Sequence, residues 1–485
     1  MYEKSVELHS PLLGATMKFM KYYKRVLPNL LAQLLIIMGI IALSCSAGYP
    51  DEAIDKSPKL THGPLVSSVL SGSAKVWFRT NVEASVTVKY STSPDLKNTQ
   101  ITNAVITKQD NDFTGTIALN HLVPCTTYYY NVLVEGVETH LKPLPQFKTF
   151  PVDADAISFK FAVLADVVSS RPAPSMVALA KENPDFVVIL GDYDHRFKAD
   201  TRTYLGKLRC LYNRLVGAET DPRGLLTMRR MNKEVREKAV MGPYLRDYIM
   251  RKFPIVHVWD DHDYCGNDSD KMCTVKEDAI RCHDEYWPTY ARPNKENGLW
   301  HQFSYGSIAD FFVLDLRSQR DVNTDPDDIN KSMLDGDNIA NGQKEWLKNN
   351  LLASHATWKF ILSSVPWNPS IKKKDAWYGF QTEQQELIKF IDANKITGIV
   401  FISGDLHLGG AIDNGQFAHF PELNVAHTNN PSKKTSCPSS GCGQWSEGWR
   451  PDGAGYGMVT ATSTSVMLEV KDESGNRRYS LLLNR

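Results

Sequence analysis

The chain has no net charge, because 55 lysine and arginine residues are balanced by 55 aspartate and glutamate residues. This balance excludes attraction of the whole molecule to a polyanion, so the sequence implies no specific nucleic-acid partner. The sequence also has no internal repeat and no Cys-x-x-Cys pair, which argues against a repeat architecture and against a thiol-based redox or metal motif. With 485 residues the chain is longer than one hydrophobic core usually supports, and we expect more than one domain.

The apolar run at residues 30–43 is too short for a comfortable membrane span. It follows a basic segment at residues 18–25 and ends in small residues, which is the order of a secretory signal peptide. We therefore predict that residues 1–50 are an export signal. Cleavage would release a periplasmic or extracellular protein, a lipid on Cys45 would make a membrane-anchored lipoprotein, and an uncleaved anchor is a third interpretation. In each case the membrane is a partner only through this N-terminal segment.

Export permits disulfide bonds, and we interpret the 8 cysteines in that way rather than as a zinc site. Cys273 is close enough in sequence to pair with either Cys265 or Cys282, and Cys437 is close enough to pair with Cys442. The spacing alone leaves the connectivity open.

Residues 58–151 have the pattern of an all-β module. Apolar and polar side chains alternate over short runs such as residues 86–90 and 128–132, with turn residues between the runs. The segment 122–128 resembles the tyrosine corner of fibronectin type III and immunoglobulin-like sandwiches, in which a tyrosine hydroxyl bonds nearby backbone. We predict a β-sandwich, with core packing as the role of its aromatic residues.

From residue 157 onward the pattern changes to strands that alternate with helices. Apolar runs at residues 159–164 and 186–190 flank a helical segment at residues 175–182, and two further helix-then-strand pairs follow downstream. This pattern predicts one large α/β catalytic domain over residues 157–485.

Three clusters of aspartate and histidine each follow an apolar, strand-like run. The clusters begin at Asp192, at Asp260 and at Asp405. Carboxylate oxygens and imidazole nitrogens are ligands for hard and borderline metal ions, and functional residues collect at the carboxyl ends of parallel strands. Three clusters with the same arrangement therefore predict a metal site.

A site for two ions needs a carboxylate that bridges them and further ligands on each side. Asp192, directly after Gly191, is the natural bridge, and Asp166 lies one β-α-β unit earlier, where it can reach the same edge. Asp405 and His407 can face two adjacent ions if their backbone is extended. Two or more metal ions are therefore the expected cofactors.

The order of these motifs resembles that of the PhoD-type alkaline phosphatases, a branch of the calcineurin-like metallophosphoesterases. The resemblance spans roughly residues 60–415, and the segment 259–264 is its most specific part. It implies a double-sheet αββα sandwich preceded by the β-sandwich, and hydrolysis of phosphate monoesters and diesters with bound iron and calcium ions. The other matching motifs are Gly191-Asp192, Asp315-Leu316-Arg317, residues 363–366 and residues 404–407.

The resemblance also implies roles for individual residues. His262 would protonate the leaving oxygen, and Arg317 would hold the phosphate with its planar guanidinium. The metal ligands would be Asp166, Asp192, His195, Asp261, Asp405 and His407.

Two positions depart from the family pattern. Relatives usually carry a Ser-Cys pair at the end of the first strand, with the cysteine as an iron ligand, whereas this chain reads Ala165-Asp166-Val167-Val168 there, and His195 takes the place of a tyrosine. Thiolate and phenolate ligands favour ferric iron, so we expect a different set of ions, drawn from Zn, Mn, Fe(II) and Ca.

The sequence thus predicts an exported, metal-dependent phosphoric ester hydrolase in which a metal-bound hydroxide attacks phosphorus in line. Its substrate would be a small phosphoester or a phosphodiester polymer. Two alternatives remain open: an envelope binding or adhesion protein with a degenerate catalytic domain, and a phospholipase-type phosphodiesterase.

Overall fold

The computed structural model describes residues 57–193, 224–237, 240–338, 341–429 and 443–485. The predictions for residues 1–50, for His195 and for the pair Cys437 and Cys442 lie outside these ranges. None of the helices in the described ranges has both the length and the apolar content that a bilayer crossing requires.

The described residues form a mixed α/β fold with three sheets. The helices are α1 (Pro174–Glu182), α2 (Leu225–Glu237), α3 (Gly242–Tyr244), α4 (Asp261–Tyr264), α5 (Lys276–Tyr286), α6 (Gln343–Ala353) and α7 (Gln381–Ala393), with short 3-10 turns at Gln109–Asn111 and Trp377–Phe380 and a π-helical turn at Leu245–Met250. The strands are β1 (Leu60–Ser67), β2 (Ala74–Thr80), β3 (Ala84–Ser91), β4 (Gln100–Ile101), β5 (Val105–Thr107), β6 (Thr114–Leu119), β7 (Thr127–Val134), β8 (Val137–Glu138), β9 (Gln146–Lys148), β10 (Phe159–Leu164), β11 (Phe186–Leu190), β12 (Ile255–Val258), β13 (His301–Tyr305), β14 (Ala309–Val313), β15 (Trp358–Ser363), β16 (Ile399–Ser403), β17 (Ala411–Asp413), β18 (Glu422–Asn424), β19 (Gly448–Trp449), β20 (Gly455–Ala461), β21 (Ser465–Asp472) and β22 (Arg477–Asn484).

The largest of these sheets has nine strands in the order β22-β21-β20-β10-β11-β12-β1-β2-β6. Its central strands β10, β11 and β12 are parallel. All residues of β11 and β12 are buried, as continuous apolar runs are when both faces of a sheet are covered. In β21, toward the sheet edge, partly and fully buried residues alternate.

The second sheet has seven strands in the order β13-β14-β15-β16-β18-β17-β19, of which β14, β15, β16 and β18 are parallel. Its aromatic side chains pack directly on those of the first sheet. Phe311 of β14 contacts Phe161 of β10 and Phe186 of β11, with ring centroids 5.3 and 5.4 Å apart in edge-to-face geometry. The main core therefore lies between the two sheets.

Helices cover the outer face of each large sheet. Met176 and Leu179 of α1 pack in one cluster with Val187 and Ile189 of β11. On the other side, side chains of α6 and α7 form a cluster with β14, β15 and β16, which includes Ile361. The parallel strands are thus enclosed, and only their ends are available for a site.

The strands of residues 58–151 are divided between two sheets. β1, β2 and β6 continue the nine-stranded sheet, where Ser67 pairs in parallel with Ile255 of β12. β3, β4, β5, β7, β8 and β9 form the third sheet. The bond expected of a tyrosine corner is present, because the backbone N–H of Val123 donates to the hydroxyl of Tyr128 at 2.9 Å.

Candidate metal centre

The carboxyl ends of strands from both large sheets meet at one place. Because β10, β11 and β12 are parallel neighbours, the loops that start at Ala165, Gly191 and Trp259 leave the same sheet edge. β16 of the other sheet ends beside them. A Cβ added at Gly404 would lie 3.2 Å from the Cβ of Ala165 and 3.2 Å from the carbonyl oxygen of Leu190.

Four of the predicted ligands have a left-handed backbone, with φ of 52° at Asp166, 53° at Asp192, 66° at Asp405 and 53° at His407. This region costs a residue other than glycine about 1–3 kcal/mol and is concentrated at functional sites. The condition that residues 405–407 are extended is therefore not met. The chain instead turns sharply directly after the strands, which keeps these residues at the sheet edge.

Asp192 is shared by two groups of side chains that could each hold a cation. In the first group, one ligand atom from each of Asp166, Asp192 and His407 lies within 4.8 Å of the other two. The second group joins Asp192 to Asp261 and His262 by the same criterion. A carboxylate common to two ligand groups is the arrangement that a two-ion centre requires.

The residues of both groups fit a bound cation. They are carboxylates and imidazoles; the three carboxylates are buried, and His407 is partly exposed. The Oδ1 atom of Asp261, a residue only 3% exposed, has no hydrogen-bond partner among the described residues. A buried carboxylate oxygen without a donor is costly unless a cation neutralises it. Ligands that offer oxygen and nitrogen atoms suit Ca, Mn, Zn or Fe(II).

Asp192 is held by the neighbouring loop. Asp263 accepts the backbone N–H groups of Asp192 at 2.8 Å, Tyr193 at 2.9 Å and Asp260 at 3.0 Å. The backbone N–H of His262 donates to Oδ1 of Asp192 at 3.2 Å. Burial and then the charge of Asp192 raise the pKa of Asp263 well above its usual value. Asp263 therefore holds the loop through three backbone N–H groups.

Gly191 permits this close approach of the two loops. Its φ is +77°, and a Cβ at this position would lie 2.6 Å from the Cβ of Asp260. A side chain would thus push the loop that carries Asp192 away from the loop that carries Asp261.

Arg317 has different partners from those expected. Its guanidinium donates to both carboxylate oxygens of Asp260 and, through Nη1, to Asp375 at 3.0 and 3.1 Å. Its Nη2 atom is also 3.6 Å from Oδ2 of Asp261. The side chain is 0% exposed. These contacts place Arg317 among the carboxylates around the site, and its contact with phosphate stays a prediction.

Asp405 also has a partner that the sequence did not indicate. The Nζ atom of Lys373 lies 2.5 Å from Oδ2 of Asp405, and Asp405 is in neither of the two groups described above. Burial alone would lower the pKa of Lys373, but attraction to Asp405 and Asp375 raises it overall. Asp405 thus forms an ion pair with a lysine, and its role as a metal ligand stays a prediction.

A third group of carboxylates adjoins the second. Asp261, Asp268 and Asp375 each offer an oxygen within 4.8 Å of the others. The guanidinium groups of Arg317 and Arg320 donate to Asp375, so side-chain cations already neutralise much of this charge.

Asp268 lies in a loop closed by a disulfide bond between Cys265 and Cys273. Of the two pairings that sequence left open for Cys273, the one with Cys265 is therefore confirmed, and Cys282 is a buried free cysteine. The disulfide ties the end of α4 to the loop that brings Asp268 close to Asp261.

Sequence reasoning missed Asp268, Asp375 and Lys373 as members of the site. Asp375 and Lys373 follow no apolar run, so the strand-end signal that found Asp192 does not apply to them. The run of three lysines at residues 372–374 was the available signal, but it does not reveal which one faces inward.

Comparisons with known proteins agree with this architecture. Residues 173–432 match the family model of the PhoD-like phosphatases, and residues 57–152 match a model described as a domain of unknown function, DUF7800. Alkaline phosphatase D of Bacillus subtilis (strain 168) is 26% identical over 321 residues, which are 60% of this chain and 52% of the relative. The chain thus spans about half the length of this curated relative.

Two solved structures have a similar fold. A structure of PhoD superposes with a TM-score of 0.68 at 19% identity and covers 87% of this chain and 90% of that chain. A purple acid phosphatase isolated from yellow lupin (Lupinus luteus) seeds superposes with a TM-score of 0.56 at 13% identity, covering 87% and 74%.

Proposed function

Because the chain belongs to the PhoD-like phosphatase family, we propose that it is an exported, metal-dependent hydrolase of phosphate monoesters or diesters. The observation that carries this proposal is that Asp192 takes part in two adjacent ligand groups. The relative named alkaline phosphatase D supports the substrate class. Support for export comes from the apolar run at residues 30–43, with a lipid on Cys45 as the alternative to release.

In this proposal Asp166, Asp192 and His407 would hold one cation. Asp192 and Asp261 would hold the second cation, either together with His262 or without it. Bound cations would supply an activated water molecule and would neutralise the phosphoryl oxygens. The ions are drawn from Ca, Zn, Mn and Fe(II), because the described ligand atoms are carboxylate oxygens and imidazole nitrogens.

His262 is assigned the role of general acid. Its Nε2 atom is 3.8 Å from Oδ1 of Asp261, which places the ring at the shared edge of the site. A histidine in that position can transfer a proton to the leaving oxygen. Its backbone N–H contributes separately, because it fixes the carboxylate of Asp192.

Residues 157–485 would form a metallophosphoesterase domain, a double-sheet sandwich with helices outside. Residues 58–151 would form a module of the fibronectin III or immunoglobulin-like kind, which is supported by the tyrosine corner at Tyr128. The division of its strands between two sheets implies that the module supports the catalytic domain directly.

The test is metal analysis coupled to activity. The purified protein is treated with a chelator, each candidate ion is added back singly, and hydrolysis of an aryl phosphate and of a bis-aryl phosphate is measured. Activity that disappears on chelation and returns with a specific ion is expected. Asp192→Asn should abolish hydrolysis and lower metal content, while Asp153→Asn at an exposed position should do neither.

Two results would contradict the proposal. Full activity after complete chelation would exclude the metal mechanism. A folded protein that binds metal but hydrolyses neither ester would favour the binding or adhesion protein, and hydrolysis restricted to phospholipid would favour the phospholipase-type alternative. One ferric ion per chain would contradict the proposed metal set.

A further inference from the structure

The two arginines near the centre are enclosed by protein. Arg317 donates to the carboxylates of Asp260 and Asp375. Arg320 donates to the carboxylate of Asp375 at 2.7 Å. It also donates to the backbone carbonyl oxygens of Asp268 and Ser269, at 3.1 and 2.9 Å. Both side chains are 0% exposed. Breaking one partner out of a buried ion pair is strongly unfavourable. Neither arginine is therefore available to an incoming phosphate.

Among the described lysines and arginines beside Asp375, Lys373 has a partly exposed side chain. Its side chain is 35% exposed, and its Nζ atom lies 2.5 Å from Asp405 and 3.8 Å from Asp375. An ammonium group has three N–H donors. Of these two contacts, the one with Asp405 has hydrogen-bond length and the one with Asp375 is purely electrostatic, so among the described residues the ammonium group retains donors for a ligand that arrives from the exposed side.

The loop that carries Lys373 is anchored on both sides of this residue. Ile371 is buried in a cluster with Leu406 and Leu408, which follow Asp405 in the chain. On the other side, the backbone N–H of Ala376 donates to the carbonyl oxygen of Lys373 at 3.1 Å. The ammonium group is thus held beside the loop of residues 404–408.

Gly379 tightens the same loop, because a Cβ there would lie only 2.1 Å from the carbonyl oxygen of Lys374. Lys372 and Lys374 are themselves exposed, whereas Lys373 is only partly exposed. Of the three consecutive lysines, the middle one is therefore the one built into the site.

We propose that Lys373 binds the phosphoryl group of the substrate, and that Asp405 serves to hold this lysine in place. Lys373 has this role only if the protein is the phosphoester hydrolase proposed above. A lysine is a well-suited phosphate ligand because it is a compact point charge with rotatable donors. Any phosphate ester, and the inorganic phosphate product, would share this contact.

The test compares Lys373→Gln with Lys372→Gln and Lys374→Gln in the metal-loaded protein. We measure KM for an aryl phosphate, Ki for inorganic phosphate, and phosphate binding by calorimetry. Loss of one charge-assisted hydrogen bond corresponds to a rise in KM, Ki and Kd of about tenfold or more. The two flanking variants should match the wild type, and elemental analysis should find the same metal content in all proteins.

Lys373→Arg provides a second measurement if the glutamine variant does not fold. Arginine keeps the charge beside Asp405, so the protein should fold, while its larger planar group should raise Ki for phosphate above the wild-type value. A Ki equal to that of the wild type in both variants that fold would overturn the proposal. The proposal would also be overturned if Lys373→Gln lost metal or thermal stability but bound phosphate with unchanged affinity. The lysine would then only neutralise Asp405.

The two proposals fail in different ways. A wild-type protein that hydrolyses no phosphate ester contradicts the proposed function, whatever the variants do. An active wild type whose Lys373 variants bind phosphate normally contradicts only the role of the lysine.

Discussion

The carboxylate of Asp263 accepts the backbone N–H of Asp192 at 2.8 Å, although the two residues follow different strands. Asp263 also accepts the N–H groups of Tyr193 and Asp260, so one side chain sets the relative position of two ligand-bearing loops. Residues that orient ligands in this way affect metal affinity without touching the ion.

Asp263→Asn should weaken metal binding. An asparagine retains only one acceptor oxygen. Its NH2 group would face a backbone N–H, and two donors cannot form a hydrogen bond. We expect metal affinity to fall by about 10- to 100-fold, measured by competition with a chromogenic chelator. Asp270→Asn is the matched control, because the side chain of Asp270 accepts a backbone N–H only within its own turn, from Met272 at 2.9 Å. Equal affinity in both variants would show that Asp263 does not position the site.

Gly191→Ala should destabilise the protein and reduce activity together. Two effects add here: the left-handed φ of +77°, and overlap of the new Cβ with the Cβ of Asp260 at 2.6 Å. Gly136→Ala separates them, since Gly136 has φ of +78° with nothing within 4 Å. We expect about 1 kcal/mol of lost unfolding free energy in Gly136→Ala and about 1–3 kcal/mol more in Gly191→Ala, measured by urea unfolding. Identical losses would mean that the two loops adjust without cost.

His262→Gln should lower kcat without removing metal. If His262 donates the leaving-group proton, loss of the ring should reduce kcat by about 100- to 10,000-fold for an alkyl phosphate. The loss should be much smaller for a nitrophenyl phosphate, whose leaving group needs no proton. His355→Gln, at an exposed position, is the control.

The same variant tests the competing role of His262 as a ligand. Its imidazole lies in one group with Asp192 and Asp261, so direct metal binding is geometrically available. A variant that contains less metal and recovers activity when excess metal is added would assign His262 to the ion, and the general acid would have to be sought elsewhere.

The sequence predicted the parts of this molecule that are local in the chain. Continuous apolar runs identified β10, β11 and β16, whose carboxyl ends meet at the shared edge. Asp192 as a candidate bridge followed from its position after a buried parallel strand, and the structure places it in two ligand groups. Tyr128 was likewise identified from a short local motif.

The parts that escaped prediction depend on contacts between distant segments. The carboxylate partner of Arg317, Asp375, was not predicted, and it lies 58 residues away in the chain. Lys373 pairs with Asp405 across 32 residues. Local pattern contains no information about such pairs, because the charge that a side chain meets is decided by loop packing. The left-handed backbone at His407 was also not predicted, because the surrounding structure imposes this conformation on the residue.

Glu422 gives a prediction for the dependence of stability on pH. This side chain is 0% exposed on β18, where its Oε1 atom accepts from the backbone N–H of Trp367 at 2.9 Å and from the hydroxyl of Ser403 at 2.5 Å. Its Oε2 atom has no hydrogen-bond partner among the described residues. Burial, with a smaller contribution from the charge of Asp413, raises the pKa of Glu422 to about 7.

The sign of the effect follows from this raised pKa. Below about pH 4.5 the group is protonated in both the folded and the unfolded chain, and it causes no pH dependence. Between pH 4.5 and 7 the unfolded chain loses the proton while the folded chain keeps it, so stability falls as pH rises, by about 3 kcal/mol in total. Glu422→Gln removes the ionisable group but keeps an oxygen for both donors. The variant should therefore be little changed at pH 4.5 and should gain unfolding free energy relative to the wild type at pH 8, measured by urea unfolding at both values. Glu345→Gln, at an exposed position, is the control, and its unfolding free energy should differ from that of the wild type by the same amount at both pH values. If Glu422→Gln were destabilised equally at both pH values, the carboxyl of Glu422 would already be ionised in the folded protein.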